Sequence, residues 1–128
     1  MEMLKARLGQ IADLRIASGV LSWDQETYMP PAAARGRSEQ QATLSRIAHE
    51  MFIAPQTSKL LRQAAKAIGP DKGSDEAALV RVTQRDFRQQ RKLPPEFVAE
   101  LARAQAQAQP AWVEARTRSD FSIFKPHL

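Results

Sequence analysis

K-L-L-R-Q-A-A-K-A-I-G-P, residues 59–70, is the stretch that decides the fold class. Leu60, Leu61, Ala64, Ala65 and Ile68 recur at i, i+1, i+4, i+5 and i+8, the stripe of a short amphipathic helix. Gly69-Pro70 stops it, because glycine accepts a left-handed cap and proline has no N–H to continue the ladder. The loop P-D-K-G-S at 70–74 comes next. Ser74 is a good N-cap, its hydroxyl able to accept an orphan backbone N–H, and Asp75 and Glu76 oppose the positive end of the next helix dipole. That helix is predicted to run to about Lys92, where Leu93-Pro94-Pro95 breaks the chain. Val98, Leu101, Ala108, Trp112 and Ala115 then mark one face of a long fifth helix, with Trp112 expected in the core. Pro110 lies inside it and removes the hydrogen bond to the Ala106 carbonyl, so a kink or two successive helices are expected. Ser119 or Asp120 is placed to cap a final turn through F-S-I-F.

Towards the N-terminus the same period continues. Leu4, Leu8, Ile11 and Ala12 predict a first helix from Leu4 to about Leu21, giving way at S-W-D-Q-E-T-Y-M-P-P, 22–31, because residues before proline are steered from helical geometry. A second helix is expected from near Ala32, with Pro31 in its first turn and Leu44, Ile47, Ala48 and Met51 on its buried stripe. Pro55 ends that helix or opens the next. No repeat or linker divides the chain, so residues 1–128 read as a single domain: all-α, an antiparallel bundle of five to six helices.

Composition excludes several classes of function. With no cysteine there is neither a disulfide framework nor a thiolate metal site, and a reducing compartment, the cytoplasm, is expected. The N-terminal segment interleaves charges with apolar residues, unlike a signal peptide or membrane span. The net charge of +5 is uneven: residues 1–50 balance six basic against six acidic side chains, and the surplus lies in 51–128. Arg81, Arg85, Arg88 and Lys92 fall at i, i+4, i+7 and i+11, with Arg91 adjacent. Asp86 interrupts that row and only Phe87 is interleaved for base stacking, so it reads as a solvated or protein-contacting face rather than a nucleic-acid site.

Candidate chemistry is sparse. His49-Glu50 opens an H-E-x-x-H pattern, in which two imidazoles four apart hold zinc, but the fourth position is Ile53 and the other histidine is His127. The pair reads as a helix-surface feature. No metal ligand set, nucleophile elbow or phosphate-cradling glycine loop is present in the sequence, and no catalytic residue is assigned. The densest group of unusual side chains is Trp23, Asp24, Gln25, Thr27, Tyr28 and Met29. The expected role is structural, with the aromatic anchoring the first helix and Asp24 or Thr27 capping the next segment; contact with a ligand is the alternative.

L-S-W-D-Q-E-T-Y-M-P-P at 21–31 resembles the early W-D-Q-x-T-x-M-P signature of the Taq-type carboxypeptidases, family 32 of the metallopeptidases, with Trp23, Asp24, Gln25, Thr27, Met29 and Pro30 on matching positions. E-Q-Q-A-T-L-S-R-I-A-H-E at 39–50, R-K-L-P-P-E-F-V-A-E-L-A-R at 91–103, A-W-V-E-A-R at 111–116 and S-D-F-S-I-F-K-P-H-L at 119–128 are similar to later family segments. Pro110 departs from the pattern. The resemblance implies the N-terminal part of a larger helical, cytoplasmic, zinc-dependent enzyme, usually a homodimer, that removes C-terminal residues from peptides. Its zinc motif lies later in such proteins, so this part is expected to carry no cofactor, to be silent alone, and to shape a groove wall with the rest of the fold. The signature residues are candidates for facing that groove. The rival readings are a stand-alone helical interaction module and, below it, a basic nucleic-acid binder.

Overall fold

The computed structural model describes residues 1–70 and 73–128; Asp71 and Lys72, within the expected 70–74 loop, lie outside the described residues. The architecture is all-helical: α1 (Glu2–Thr27), α2 (Ala34–Ile53), α3 (Pro55–Ile68), α4 (Asp75–Gln90) and α5 (Pro95–Arg118). Single 3-10 turns at Pro31–Ala33, Phe121–Ile123 and Lys125–His127 complete it, and no strand occurs among the described residues.

The punctuation acts as the residues dictate. Pro55 and Pro95 occupy first-turn positions, where a missing N–H costs nothing. Gly69 takes φ +63° at the end of α3, its N–H donating to the Ala65 carbonyl. Ser74 Oγ accepts the Ala77 N–H at 3.2 Å, so the sequence-based cap is observed. Beyond α5, Ser119 is left-handed (φ 53°) and the Asp120 N–H reaches back to the Ala115 carbonyl at 2.9 Å. Asp120 caps the last turns, its Oδ1 accepting from the Ser122 N–H and hydroxyl, which holds its carboxyl below the ordinary 3.8.

Long-range pairs fix the directions of the helices. Arg7 donates to the Met51 carbonyl while Arg37 reaches Asp24, so α1 and α2 are antiparallel. Arg103 meets Glu39 and His49 meets the Leu93 carbonyl, so α5 is antiparallel to α2. Lys5 bonds Glu76 and Arg15 bonds Gln90, which sets α4 parallel to α1. The core joins Leu4 and Ile11 of α1, Ala48 and Phe52 of α2, Leu60, Leu61 and Ala64 of α3, and Val80 and Phe87 of α4. The Phe52 and Phe87 rings tilt together at 6.1 Å, with the Arg15 guanidinium over Phe52. On the other side α2 packs on α5, and small residues are buried on both helices: Ser38 and Ala42 on α2, Ala99 and Ala106 on α5. Small side chains let the two backbones approach closely.

Three expectations are corrected and one is narrowed. The first helix does not end near Leu21 but runs to Thr27, because the restriction imposed by Pro30 reaches only its immediate predecessor and S-W-D-Q-E-T contains no breaker. The fourth helix closes at Gln90 rather than Lys92. For the fifth helix, where a kink or two successive helices are the alternatives, the structure has one helix running through Pro110 rather than two. Trp112 is not core: it is 49% exposed, on a stripe with Leu101 that faces away from α2, while the buried face of α5 carries Ala99, Ala106 and Ala115.

Candidate functional site

Of the signature residues, Trp23, Asp24, Gln25 and Thr27 form the last two turns of α1, and Met29 and Pro30 the link to α2. The end of a helix presents carbonyls without intrahelical donors and a partial negative charge, and α1 has no basic residue of its own in its last turn. Arg37 of α2 supplies one. Its guanidinium donates to the Leu21 carbonyl, to Asp24 Oδ2 at 2.6 Å and to Gln40 Oε1 at 3.1 Å. The Arg37 side chain is only 12% exposed, so this ion pair is sheltered on one side. The Asp24 carbonyl in turn accepts the Tyr28 and Met29 N–H groups, and the Pro30 carbonyl accepts that of Ala33, closing the corner.

Gln25 points to the other neighbour. Its Nε2 donates to the Ala106 carbonyl of α5 at 2.7 Å, and its Oε1 accepts Gln41 Nε2 at 3.2 Å. Thr27 stays local, its hydroxyl on the Trp23 carbonyl at 2.8 Å. Trp23 is 59% exposed, its ring edge-on to Tyr28 at 6.1 Å, so it does not anchor α1 in the core. The segment therefore divides: Asp24 and Gln25 tie α1 to α2 and α5, while Trp23 and Tyr28 face outward.

Sequence reasoning missed Arg37 and Gln41. The signal was present, since the α2 stripe of Leu44 and Ala48 extends backward at helical spacing to Gln41 and Arg37, polar residues on an otherwise inward face. Beside them, Arg103 grips Glu39 at 2.8 and 3.0 Å; that hydrogen-bonded guanidinium holds the Glu39 carboxyl below its ordinary 4.5.

His49 is corrected as well. It is 5% exposed rather than on the surface, and its Nε2 lies 2.9 Å from the Leu93 carbonyl at the α4–α5 corner; a carbonyl only accepts, so Nε2 carries the proton. Glu50 is exposed and paired with Arg46 at 2.9 Å, turned from His49 towards solvent. Among the described residues no three His, Cys, Asp or Glu side chains converge to hold a metal ion. The described residues therefore do not offer a zinc ion a set of protein ligands. Arg81, Arg85, Arg88 and Arg91 are exposed on and just beyond α4, with Arg85 paired to Asp86 at 3.0 Å.

The outward face of α5 is the other notable surface. Leu101, Ala104, Ala108 and Trp112 line a shallow groove of about 340 Å³, with Phe124 and His127 from the final turns along its edge. Among the described residues no helix is long and apolar enough to cross a membrane.

Comparison with known proteins agrees with this architecture. The family model described as Carboxypeptidase Taq (M32) metallopeptidase matches residues 3–128. Thermostable carboxypeptidase 1 of Pyrococcus furiosus is 35% identical over 128 residues, 99% of this chain and 25% of that protein. Thermostable carboxypeptidase 1 of Thermus thermophilus is 31% identical over 120 residues, 93% of this chain and 24% of that protein. A solved structure described as BsuCP superposes with a TM-score of 0.90 over 98% of this chain and 25% of that one, at 24% identity. The chain thus spans about a quarter of the length of the curated relatives it matches, over their N-terminal region. With its signature residues on the closing turns of α1 and a family match along almost its whole length, the chain belongs to the Taq carboxypeptidase (M32) family of metallopeptidases.

Proposed function

We propose that residues 1–128 form the N-terminal, groove-shaping domain of a zinc-dependent carboxypeptidase that removes C-terminal residues from peptides, and that these residues catalyse nothing alone. The observation that carries this reading is the apolar stripe of Leu101, Ala108 and Trp112 on α5, largely exposed and bordered by Phe124 and His127 of the final turns, with no residue of α1–α4 lining its groove. Cover by the rest of a larger fold accounts for it. Trp23, Met29 and Pro30 then stand at the rim, as candidates to border the groove, while Asp24 and Gln25 hold the wall in place. Zinc, the peptide substrate, a homodimeric assembly and a cytoplasmic site of action belong to that whole enzyme in this reading.

An antiserum raised against the chain tests it. In source cells it should detect a polypeptide about four times 14.3 kDa, and the precipitated material should release C-terminal amino acids in a zinc-dependent manner. The purified chain with added zinc should release none. A band at 14.3 kDa alone, without activity, would replace this reading with a free-standing interaction module; zinc-stimulated hydrolysis by the chain itself would remove the silent part.

A further inference from the structure

We infer that Gln25 is a positioning residue whose carboxamide replaces the backbone donor lost at Pro110, so that residues 25 and 110 act as one unit joining α1 to α5. In an α-helix the N–H of residue i donates to the carbonyl of i−4, so Pro110 leaves the Ala106 carbonyl without its helical partner. Ala106 is only 4% exposed, so water is a poor substitute for that partner while Gln25 fills the adjoining crevice. A buried carbonyl without a donor is costly, and a donor arrives from 81 residues earlier: Gln25 Nε2 at 2.7 Å.

The donor is itself held. Gln25 Oε1 accepts from Gln41 Nε2 at 3.2 Å, and Gln41 Oε1 lies 3.4 Å from Ser22 Oγ. Both ends of the Gln25 carboxamide thus engage scaffold, one on each neighbouring helix. The continuity of α5 through its internal proline has the same origin: the freed carbonyl stays inward because a donor waits for it. The inference is independent of the proposed function, since it concerns only how three helices are joined.

A double-mutant cycle in the 128-residue chain tests it. Gln25→Leu keeps the side-chain bulk, which matters because the adjoining crevice, lined by Ser22, Gln41, Gln105 and Gln109, would otherwise admit water to the carbonyl. Pro110→Ala restores the backbone N–H. Gln25→Leu should lower the folded-to-unfolded ratio about tenfold more in the parent chain than in the Pro110→Ala background, a coupling of about 1.4 kcal/mol. The loss of the Gln41 bond is common to both backgrounds and cancels. Equal losses in the two backgrounds would overturn the inference.

Gln25→Glu gives a second reading when made both with Pro110 and with Pro110→Ala: burial alone makes it pH-dependent in both, and only a bond to the freed carbonyl makes the dependence larger with Pro110. At neutral pH its carboxylate faces the Ala106 carbonyl with no proton to donate; once protonated it donates as the carboxamide did. Folding raises the pKa of this group, so the stability it contributes is present at low pH and lost as pH rises through the folded value. The gain of Gln25→Glu as pH falls should be larger with Pro110 than with Pro110→Ala, and equal gains in the two backgrounds would refute the role. Should Gln25→Leu fail to fold with Pro110, a folded Gln25→Leu/Pro110→Ala protein supports the inference and an unfolded one rejects it.

Discussion

Arg37→Ala is the most informative single change, because one side chain closes the end of α1 onto α2. It removes the ion pair with Asp24 at 2.6 Å and the donor to the Leu21 carbonyl, and leaves Asp24 beside a helix end of the same sign. Hydrogen bonds to charged groups contribute about 1.5–3 kcal/mol each, but Asp24 is part-exposed and regains water, so the combined loss should be about 2–3 kcal/mol. For a domain of this size about 1 kcal/mol moves the melting temperature by roughly 4 °C, which places the expected drop near 8–12 °C. Circular dichroism in the far-ultraviolet helix band, followed through thermal unfolding at about 0.1 M salt, reads it directly. Arg37→Lys keeps the charge but not the planar fork that serves Leu21 and Asp24 together, and should recover less than half of the loss. A melting temperature within about 2 °C of the parent for Arg37→Ala would refute the reasoning, because removal of a sheltered guanidinium with these bonds leaves its partners without a donor.

The same contacts give three further expected outcomes. Phe52→Ala, which empties the centre of the core between Phe87 and Arg15, should cost about 3–5 kcal/mol in urea denaturation with an unchanged slope. Lys5 holds Glu76, and Arg103 holds Glu39, below the ordinary carboxyl value of 4.5 through direct hydrogen bonds; the stability from both pairs is present above that value and should fade as pH falls through the lowered folded values. Melting curves from about pH 6 to about pH 3 should show Arg103→Gln losing less than the parent over that fall. Finally, since Trp23 and Trp112 are both about half exposed or more, their emission should change little on unfolding, and acrylamide should quench it readily in the native chain; a large red shift on denaturation would contradict the outward placement of α5's stripe.

Helix identity was legible because it rests on local signals. Gly69, Ser74, Pro55 and Pro95 each act on backbone within a few residues, and each does in the structure what its chemistry requires. Periodicity also located the apolar stripe of Leu101 and Trp112, but a stripe does not state what covers it, and the side packed on α2 proved to be the alanine face. His49 looked like a surface residue because its partner, the Leu93 carbonyl, lies 44 residues away at a corner whose position only tertiary structure reveals. The candidate site was half legible: Asp24 and Gln25 were singled out by their company, yet Arg37 and Ala106, which give them their roles, come from other helices.

The Gln25–Ala106 bond also orders events in time. Ribosomes add about 5–20 residues per second, so Gln25 is synthesised roughly 4–16 s before the carbonyl that it serves, and Lys5 waits nearly as long for Glu76. During that interval α1 can pair with α2 and α3, and later with α4, as their residues are added in turn, but not with α5. Of the five helices, α1 is made before the others yet lacks a partner until α5 is made, and for those seconds part of its surface is open to chaperones.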